Sequence, residues 1–311
     1  MKKYIFIVCL FFVSSLFAQQ DPQFTHYHFN QLYTNPAAAG QGSISQFNVL
    51  TRFQYAGYTG TFDTGGAPTS QLVSASIPVL DWRSGFGITI LNDKIGPNTM
   101  QDLSVAYALR MPIGAGVFAV GARAGIQRRG VDQTKLRYQD EGDPLIPMAG
   151  NSQLRPDFGL GVTLTYPMFN VGLSSLHLTE PNFSYFTTAK NILKRKYIAN
   201  LGLNIPVNYA IDIQPMFILK TDLSRYSFEG GVMANFRNTI AVGTSYRYQD
   251  ALSAIVQAKV MKNLRVSYAG DFVNFGTLAK AITSHEIMIS YTIPAIRIGK
   301  ESIIRTPRYR Y

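Results

Sequence analysis

The stretch Leu103-Ser104-Val105-Ala106-Tyr107-Ala108-Leu109-Arg110-Met111 places a large apolar side chain at every second position, with small or polar ones between. Successive side chains of a β-strand point to opposite faces, so this period of two predicts a strand with one apolar face. The same alternation recurs on both sides, from Phe47 to Tyr55 and from Ile240 to Tyr248. Its repetition along the chain predicts an all-β protein.

About fourteen such segments of ~10–12 residues lie between residues 44 and 296, which predicts a transmembrane antiparallel β-barrel with an even number of strands. The short connections lie near residues 81–84, 112–115, 167–169, 206–209, 236–239 and 261–264. The mostly longer ones lie near residues 57–69, 92–100, 128–155, 179–195, 221–225, 249–251 and 273–283. Short periplasmic turns and long outer loops are typical of such barrels, whereas a soluble β-sandwich or β-helix, the alternative, has no reason for this alternation.

The composition also favours a membrane barrel. Charged residues make up 15% of the chain, against roughly 25% in soluble domains, and aromatic residues make up 13%. After the N-terminus, no run stays apolar for the ~20 residues that a membrane helix needs. In a barrel, lipid-facing and lumenal residues alternate and aromatic side chains cluster at the interfaces, so low charge and many aromatics occur together.

The first eighteen residues have the pattern of a secretory leader. Lys2 and Lys3 precede an apolar run over residues 4–13, and small residues precede a predicted cut near Ala18. The single cysteine, Cys9, lies in this leader, so we expect no disulfide or thiolate site in the mature chain. The net charge of +11 becomes +9 without the two lysines, from 27 basic and 18 acidic residues. This excess favours lipid phosphates or an acidic protein as partner, and we expect no nucleic acid.

Residues 19–43 differ from the rest because they follow neither a helical nor a strand period. Their aromatic residues are Phe24, Tyr27, Phe29 and Tyr33. Asn35-Pro36 is a turn signal, and Gly40 marks the exit towards the first strand. Four aromatic rings are costly in water, and a barrel of ~14 strands is wide enough to need filling. We therefore expect a plug-like segment in the lumen, and a docking peptide for a partner is the alternative.

Several charged residues fall on the polar face of the predicted strands or in loops. The basic ones are Arg52, Arg110, Arg123, Arg247 and Arg265, and the acidic ones are Glu229, Asp271 and Glu286. Buried charges are stable only when paired, so we expect these residues to pair in the lumen, with one another or with the segment or a partner. Glycines within strands, such as Gly85 and Gly161, would make room in the lumen.

Candidate sites of chemistry are weak. His26 and His28, two residues apart, are too few for a metal site without further ligands. Ser284 with His285, and Ser175 with His177, are the serine–histidine pairs that a barrel enzyme would need, and neither has an orienting acid at a telling spacing. The acidic run Asp140-Glu141-Gly142-Asp143 lacks the spacing of an EF-hand calcium loop. We expect no catalytic residue, metal or cofactor.

Both ends of the chain resemble a known family. The N-terminal pattern is Asp21-Pro22-Gln23-Phe24-Thr25, Tyr27, Phe29-Asn30 and Asn35-Pro36-Ala37-x-Ala39-Gly40, and the C-terminal one is Arg305-Thr306-Pro307-Arg308-Tyr309-Arg310-Tyr311. These resemble the PorP/SprF family, outer-membrane proteins of the type IX secretion system of Bacteroidota, and the chain length also suits that family. Gln31 is a departure, because the family pattern favours proline there.

The resemblance implies a non-enzymatic outer-membrane component that supports secretion or surface attachment of cargo, such as the adhesins of gliding motility. The implied partners are outer-membrane lipid, the secreted cargo protein and periplasmic secretion components. Candidate plug or partner-binding residues are Asp21, Pro22, Phe24, Tyr27, Phe29, Asn30, Asn35, Pro36 and Gly40. The basic tail, residues 297–311, would lie in the periplasm and present Arg305, Pro307, Arg308, Tyr309 and Arg310. The alternative function is a channel or transporter for hydrophobic or small solutes, gated by the N-terminal segment.

Overall fold

The structure, a computed structural model, describes residues 21–56, 67–79, 83–132, 135, 152–183, 191–273 and 283–295. The predicted leader, the acidic run at residues 140–143 and the basic tail with Arg305, Pro307, Arg308, Tyr309 and Arg310 lie outside these residues. In the described ranges, no helix is long and apolar enough to cross a membrane.

Antiparallel strands form one sheet that closes on itself. They are β1 Ile44–Phe53, β2 Thr69–Val79, β3 Ser84–Ile95, β4 Asn98–Ile113, β5 Gly116–Val131, β6 Ser152–Thr165, β7 Phe169–Leu176, β8 Lys196–Leu203, β9 Ile205–Asn208, β10 Ile211–Thr221, β11 Tyr226–Phe236, β12 Ile240–Arg247, β13 Ala251–Met261, β14 Leu264–Val273 and β15 Thr283–Pro294. β9 continues β8 past Asn204, and both pair with β10. The last strand pairs with the first, from Ile44 opposite Pro294 to Phe53 opposite His285. Because β8 and β9 together occupy the place of one strand, the described strands form a closed fourteen-stranded barrel. This confirms the predicted fold.

The alternation predicted from the sequence is the alternation of the barrel wall. On β4, Leu103, Val105 and Leu109 are 45%, 55% and 52% exposed on the outer face. Ala106 and Ala108, between them, are buried on the inner face. A continuous outward band of apolar residues is stable only against lipid. The period of two in the sequence therefore also indicates that this wall lies in a membrane.

The two ends of the barrel differ in their connections. At one end the connections are short, as between β4 and β5 or between β13 and β14. At the other end residues 54–68, 132–151 and 177–195 form long connections. Short turns face the periplasm in outer-membrane barrels. We call the short-turn end the inner end and the opposite one the outer end, and the chain enters β1 and leaves β15 at the inner end.

The prediction of a longer connection near residues 92–100 is wrong. β3 ends at Ile95, and Gly96 and Pro97 alone join it to Asn98, which pairs with Ile95. Gly96 has a φ of +58°, a left-handed conformation that glycine adopts without strain. The polar residues here resemble a loop in the sequence because both strands continue beyond the apolar band.

Residues 21–40, which we call the lumenal segment, lie inside the barrel. Three short 3-10 turns, Thr25–His28, Gln31–Tyr33 and Pro36–Ala38, make up most of it. Its first residue, Asp21, contacts Lys196 at the outer end. Its last residue, Gly40, donates a hydrogen bond to Ser76 near the inner end. The segment thus runs along the lumen against the direction of β1.

Aromatic residues of the segment pack on apolar residues of the inner wall. Phe24 is 2% exposed and packs with Leu50, Leu72, Leu91, Met100 and Met288. Tyr27 is 5% exposed and packs with a second group that includes Leu176, Ile198, Met216 and Ile218. The wall is therefore not uniformly polar inside, because its larger apolar residues face the segment.

Candidate functional site

Asn35 fixes the inner half of the lumenal segment. Its Oδ1 accepts a hydrogen bond from the Ala37 amide at 2.9 Å, which caps the turn that begins at Pro36. Its Nδ2 donates to the carbonyl oxygens of Val162 at 3.0 Å and Leu173 at 3.3 Å. The Asn-Pro turn signal therefore also binds the segment to β6 and β7.

Glycines of the wall admit the segment backbone at close range. A Cβ on Gly121 would lie 2.4 Å from the Ala37 nitrogen, and one on Gly85 would lie 2.2 Å from the Ala39 oxygen. At Gly161 it would lie 2.1 Å from the Asn35 Oδ1. Contacts this short cannot be accommodated without displacing backbone or the capping amide. The inward glycines of β3, β5 and β6 therefore make room for the segment.

The first charged cluster, residues His26, Arg52, Glu229, Arg247, Asp271 and Glu286, fixes the outer half. Glu286 accepts hydrogen bonds from the backbone amides of Thr25 at 3.0 Å and His26 at 2.9 Å. The His26 ring contacts the same carboxylate through Nδ1 and Ser267 through Nε2. One carboxylate of β15 thus binds both the backbone and a side chain of the segment.

Arginines complete this cluster. Arg52 contacts Glu286 at 3.0 Å and Asp271 at 2.7 Å, and Asp271 also accepts a hydrogen bond from the Thr25 hydroxyl at 2.8 Å. Arg247 contacts Glu229 at 3.0 Å. All five charged wall residues are at most 4% exposed. Buried charges at this density are stable only as a set, because removing one leaves its partner without compensation.

The second charged cluster, residues Asp21, Arg123, Asp157, His177 and Lys196, lies at the outer end. Asp21 contacts Lys196 at 2.8 Å and the His177 Nε2 at 3.0 Å. Asp157 contacts the His177 Nδ1 at 3.1 Å and Arg123 at 2.6 Å. His177 follows the last residue of β7 and has a φ of +57°, in the left-handed region that non-glycine residues seldom adopt.

Two groups of this cluster, both outside the membrane-spanning strands, have shifted pKa values. Burial opposes the charge on Asp21, but Lys196 and His177 outweigh burial and hold the pKa of this carboxyl well below its usual range. Burial also opposes the charge on His177, but Asp21 and Asp157 outweigh it and raise the pKa of the imidazole to about 9. At neutral pH both groups are therefore charged and attract each other.

The remaining candidate residues occupy different places. Arg110 donates to the Ala39 carbonyl oxygen at 2.8 Å, at the inner end of the segment. Arg265 donates to Asn238 at 2.6 Å on the inner rim and contacts no lumenal acid there. Pro22 accepts a hydrogen bond from the Tyr33 hydroxyl, and Asn30 accepts one from Ser74. Phe29 packs against both apolar groups of the lumen.

The serine–histidine pairs do not come together. Ser284 faces the lumen and accepts a hydrogen bond from the Tyr55 amide, whereas His285 faces outward and contacts Tyr268. His177 lies in the second charged cluster, while Ser175, two residues before it, is on the outward face of β7. His26 and His28 also diverge, and among the described residues no three histidine, cysteine, aspartate or glutamate residues are arranged to hold a metal.

Sequence reasoning missed Asp157, His177 and Lys196 as lumenal residues. The prediction placed residues 128–155 in a connection, so the next predicted strand began just before Asp157, which has the inward parity of Gly159 and Gly161. Applying the alternation to the first residues of that strand would have found Asp157. No sequence signal identifies His177, because its inward direction depends on a left-handed backbone conformation after β7.

The closed wall and the apolar outer band define a membrane β-barrel protein. A family model, "Type IX secretion system membrane protein PorP/SprF", matches residues 16–291. The chain therefore belongs to the PorP/SprF family of type IX secretion membrane proteins, which confirms the predicted family. The match includes the N-terminal pattern and ends before the C-terminal one.

Solved structures share the fold at low sequence identity. The toluene transporter TbuX of Ralstonia pickettii is 11% identical, with 85% of this chain and 93% of that one covered and a TM-score of 0.52. A FadL homologue of Pseudomonas aeruginosa is 14% identical, with 90% and 95% covered and a TM-score of 0.48. No curated protein matches the sequence. At these identities the likeness to TbuX shows the fold alone.

Proposed function

We propose that this protein is a non-catalytic component of the type IX secretion system that supports the secretion or surface attachment of a cargo protein, such as an adhesin. Membership of the PorP/SprF family is the observation that carries the proposal. The lumenal segment is then a plug, and the protein acts by binding partners at the two ends of the barrel rather than by passing solutes.

The contacts of the lumenal segment support the plug. Among the described residues, a cavity beside Asp21 and another beside His28, both between the segment and the wall, measure about 20 and 10 Å³, which is about the room of one water molecule each. Opening a path at the cavity beside Asp21 would break the contacts of Asp21 with Lys196 and His177. Uncovering buried carboxylates in this way is costly, so a resting barrel stays closed.

The two ends would have different partners. The long connections at the outer end would bind the cargo, because they are the part of the protein that reaches the cell surface. The inner end, with the tail of residues 297–311, would contact periplasmic secretion components. Five basic residues in this tail, Arg297, Lys300, Arg305, Arg308 and Arg310, suit an acidic partner surface.

The second candidate function is transport of hydrophobic or small solutes, with the segment as a gate. The fold likeness to a toluene transporter favours it. In that case the first charged cluster would be the part that opens, since it connects the outer half of the segment to β1, β14 and β15.

The test of the first proposal is a comparison of the surface and culture-medium proteins of a strain lacking this chain with those of its parent and of a complemented strain. Loss of one or a few large secreted proteins from the surface supports a cargo-specific component. Loss of all type IX cargo supports a part of the general machinery. An unchanged set of secreted proteins contradicts the proposal.

Conductance separates the second candidate from the first. The purified barrel is inserted into a planar lipid bilayer and recorded without and with toluene as a probe solute. A plugged binding protein gives no steady ion conductance, and liposomes that contain it take up toluene at the rate of empty ones. Faster uptake in the wild-type protein would favour the gated transporter.

A further inference from the structure

The membrane-facing wall has a hollow where β13, β14 and β15 meet. It measures about 240 Å³. Its floor is formed by Gly270 and its cross-strand neighbour Ala254, and its rim by Tyr268, Phe272 and His285. The neighbours of Gly270 on the same face of β14 are large aromatic residues, so the missing side chain leaves a real depression in the wall.

The hollow lies in the apolar band and opens towards lipid. Tyr268 and Phe272 are 41% and 52% exposed, and nearby Val256 and Ile287 are 43% and 44% exposed. Behind it the wall is closed, because Asp271 and Ser284 point into the lumen and are 2% and 1% exposed. It lies near the outer end, since β14 ends at Val273 and β15 begins at Thr283. The hollow therefore faces the outer half of the membrane.

A polar pair stands at the rim. The Tyr268 hydroxyl and the His285 Nδ1 are 2.6 Å apart, and the two rings stack with centroids 6.0 Å apart at 27°. In either direction of this hydrogen bond one donor remains. If the tyrosine donates, the Nε2–H of a neutral histidine is left, and if the histidine donates, the tyrosine O–H is left. Within the residues that the structure describes, no acceptor lies against that remaining donor.

We propose that this hollow binds one acyl chain of an outer-leaflet glycolipid, with a carbonyl or hydroxyl oxygen of the lipid accepting a hydrogen bond from the Tyr268–His285 pair. The hollow opens into the membrane, so the acyl chains of the surrounding lipids are the molecules that can enter it. The volume exceeds the ~150 Å³ of an apolar cavity that holds benzene. A free donor at the edge of an apolar surface is stabilised by an acceptor oxygen, which an ester-linked or hydroxylated chain carries.

The first test fills the hollow. Gly270→Leu places a branched side chain on the floor, where a Cβ meets only ordinary contacts with Tyr268 at 3.6 Å and beyond. Ala124→Leu is the matched control, because Ala124 is an exposed small residue on the outer face of β5 between Val105 and Phe158. Both proteins are purified in mild detergent, and each is checked as a folded barrel by its faster gel mobility before heating.

Native mass spectrometry then counts bound purified lipid A. We expect one bound lipid A on the wild-type protein and on Ala124→Leu, and at least about tenfold lower occupancy on Gly270→Leu. Equal occupancy on Gly270→Leu and Ala124→Leu would overturn the proposal. So would equal binding of phosphatidylethanolamine and lipid A, or a preference for phosphatidylethanolamine, in a competition on the wild-type protein, since the site would then not select a glycolipid.

The second test removes the polar pair without filling the hollow. The double variant Tyr268→Phe/His285→Phe keeps both rings and removes both groups that could donate to the lipid. Loss of that hydrogen bond is expected to weaken lipid A binding by roughly two- to tenfold. Tyr246→Phe, an exposed tyrosine on the outer face of β12, is the control and should bind as the wild type does. Unchanged binding in the double variant would contradict the role of the pair.

Discussion

The outer and inner halves of the lumenal segment are fixed by different physical means. From Asp21 to His26, charged side chains of the wall bind the segment through two clusters. From Asn35 to Gly40, the segment packs its backbone directly on glycines and uses one amide side chain. The outer half thus combines charge compensation with the packing of Phe24, and the inner half depends mainly on shape, with one hydrogen bond from Arg110 to Ala39.

The two halves of the lumenal segment should differ in how easily a partner displaces them. Ion pairs and hydrogen bonds can be exchanged for contacts with water or with a partner's charges, whereas close backbone packing has no substitute. A partner that reaches the lumen from outside would therefore displace the outer half first, while the inner half stays attached next to β1. The following substitutions separate the two halves.

The largest effect is expected from Arg52→Ala. It leaves Glu286 and Asp271 buried without their guanidinium, which costs about 3–5 kcal/mol. We expect the outer half to leave the wall, with a lower free energy of unfolding in urea and the appearance of ion conductance in planar bilayers. Arg155→Ala, which removes an exposed arginine that donates to the Asn182 carbonyl oxygen, is the control. Equal behaviour of the two variants would contradict the role of the first charged cluster.

Gly121→Ala tests the inner half. The added Cβ would lie 2.4 Å from the Ala37 nitrogen, and overpacking of this kind costs about 1–3 kcal/mol. The free energy of unfolding should fall, and proteases should cleave the segment more readily. Gly270→Ala adds the same methyl group where the nearest atom is 3.6 Å away and should leave both quantities unchanged. If the two alanine variants are equally stable, backbone packing does not fix the inner half.

Asn35→Ala should have a smaller effect. It removes the cap of the Pro36 turn and the hydrogen bonds to the Val162 and Leu173 carbonyl oxygens, at a cost of about 1–2 kcal/mol. Hydrogen exchange should quicken at the Ala37 amide while the strand amides stay protected. Asn208→Ala, which removes one exposed turn hydrogen bond to Ala210, should leave exchange at Ala37 as it is in the wild type.

The last expected effect is that of pH on the outer half. The pKa of His177 is raised to about 9, above the ~6.5 of an unfolded histidine, so its stabilising charge is fully present below pH ~6.5 and is lost as the pH rises through about 9. The free energy of unfolding should therefore fall between pH 7 and pH 10. In His177→Gln this part of the fall should be absent. An identical pH profile in both proteins would show that the charge of His177 adds no stability.

Much of the fold followed from the pattern of the sequence. The period of two around Leu103 to Met111 predicted the wall and its outward face, because only lipid accepts such a continuous apolar band. The polar strand ends around Gly96 were missed, since strands that project beyond the membrane look like loops. Leu50 and Leu72 point into the lumen and pack against Phe24. The sequence did not identify them as lumenal, because an apolar residue at an inward position breaks the simple alternation of apolar and polar residues.

Most charged residues of the candidate site were predictable from the sequence, but their partners were not. Arg52, Arg123, Arg247, Glu229, Asp271 and Glu286 were named from parity alone, since an inward position on a strand is a local property. Their partners were not predictable, because Thr25 and His26 meet Glu286 across 260 or more positions of the chain. Asp157 and His177 depend on where one strand begins and another ends.

By itself, the sequence determined the class of fold, which residues of each strand face outward, and the family. The reason is that alternation and sequence motifs are local patterns that the residues alone display. Only the tertiary structure decided that the lumenal segment runs from the outer to the inner end and which wall residues bind it. Barrel closure brings the first and last strands together, and that long-range pairing creates the buried environment in which Arg52, Asp271 and Glu286 must share their charges. The physical reason is that charge compensation depends on distance in space, which no local pattern encodes.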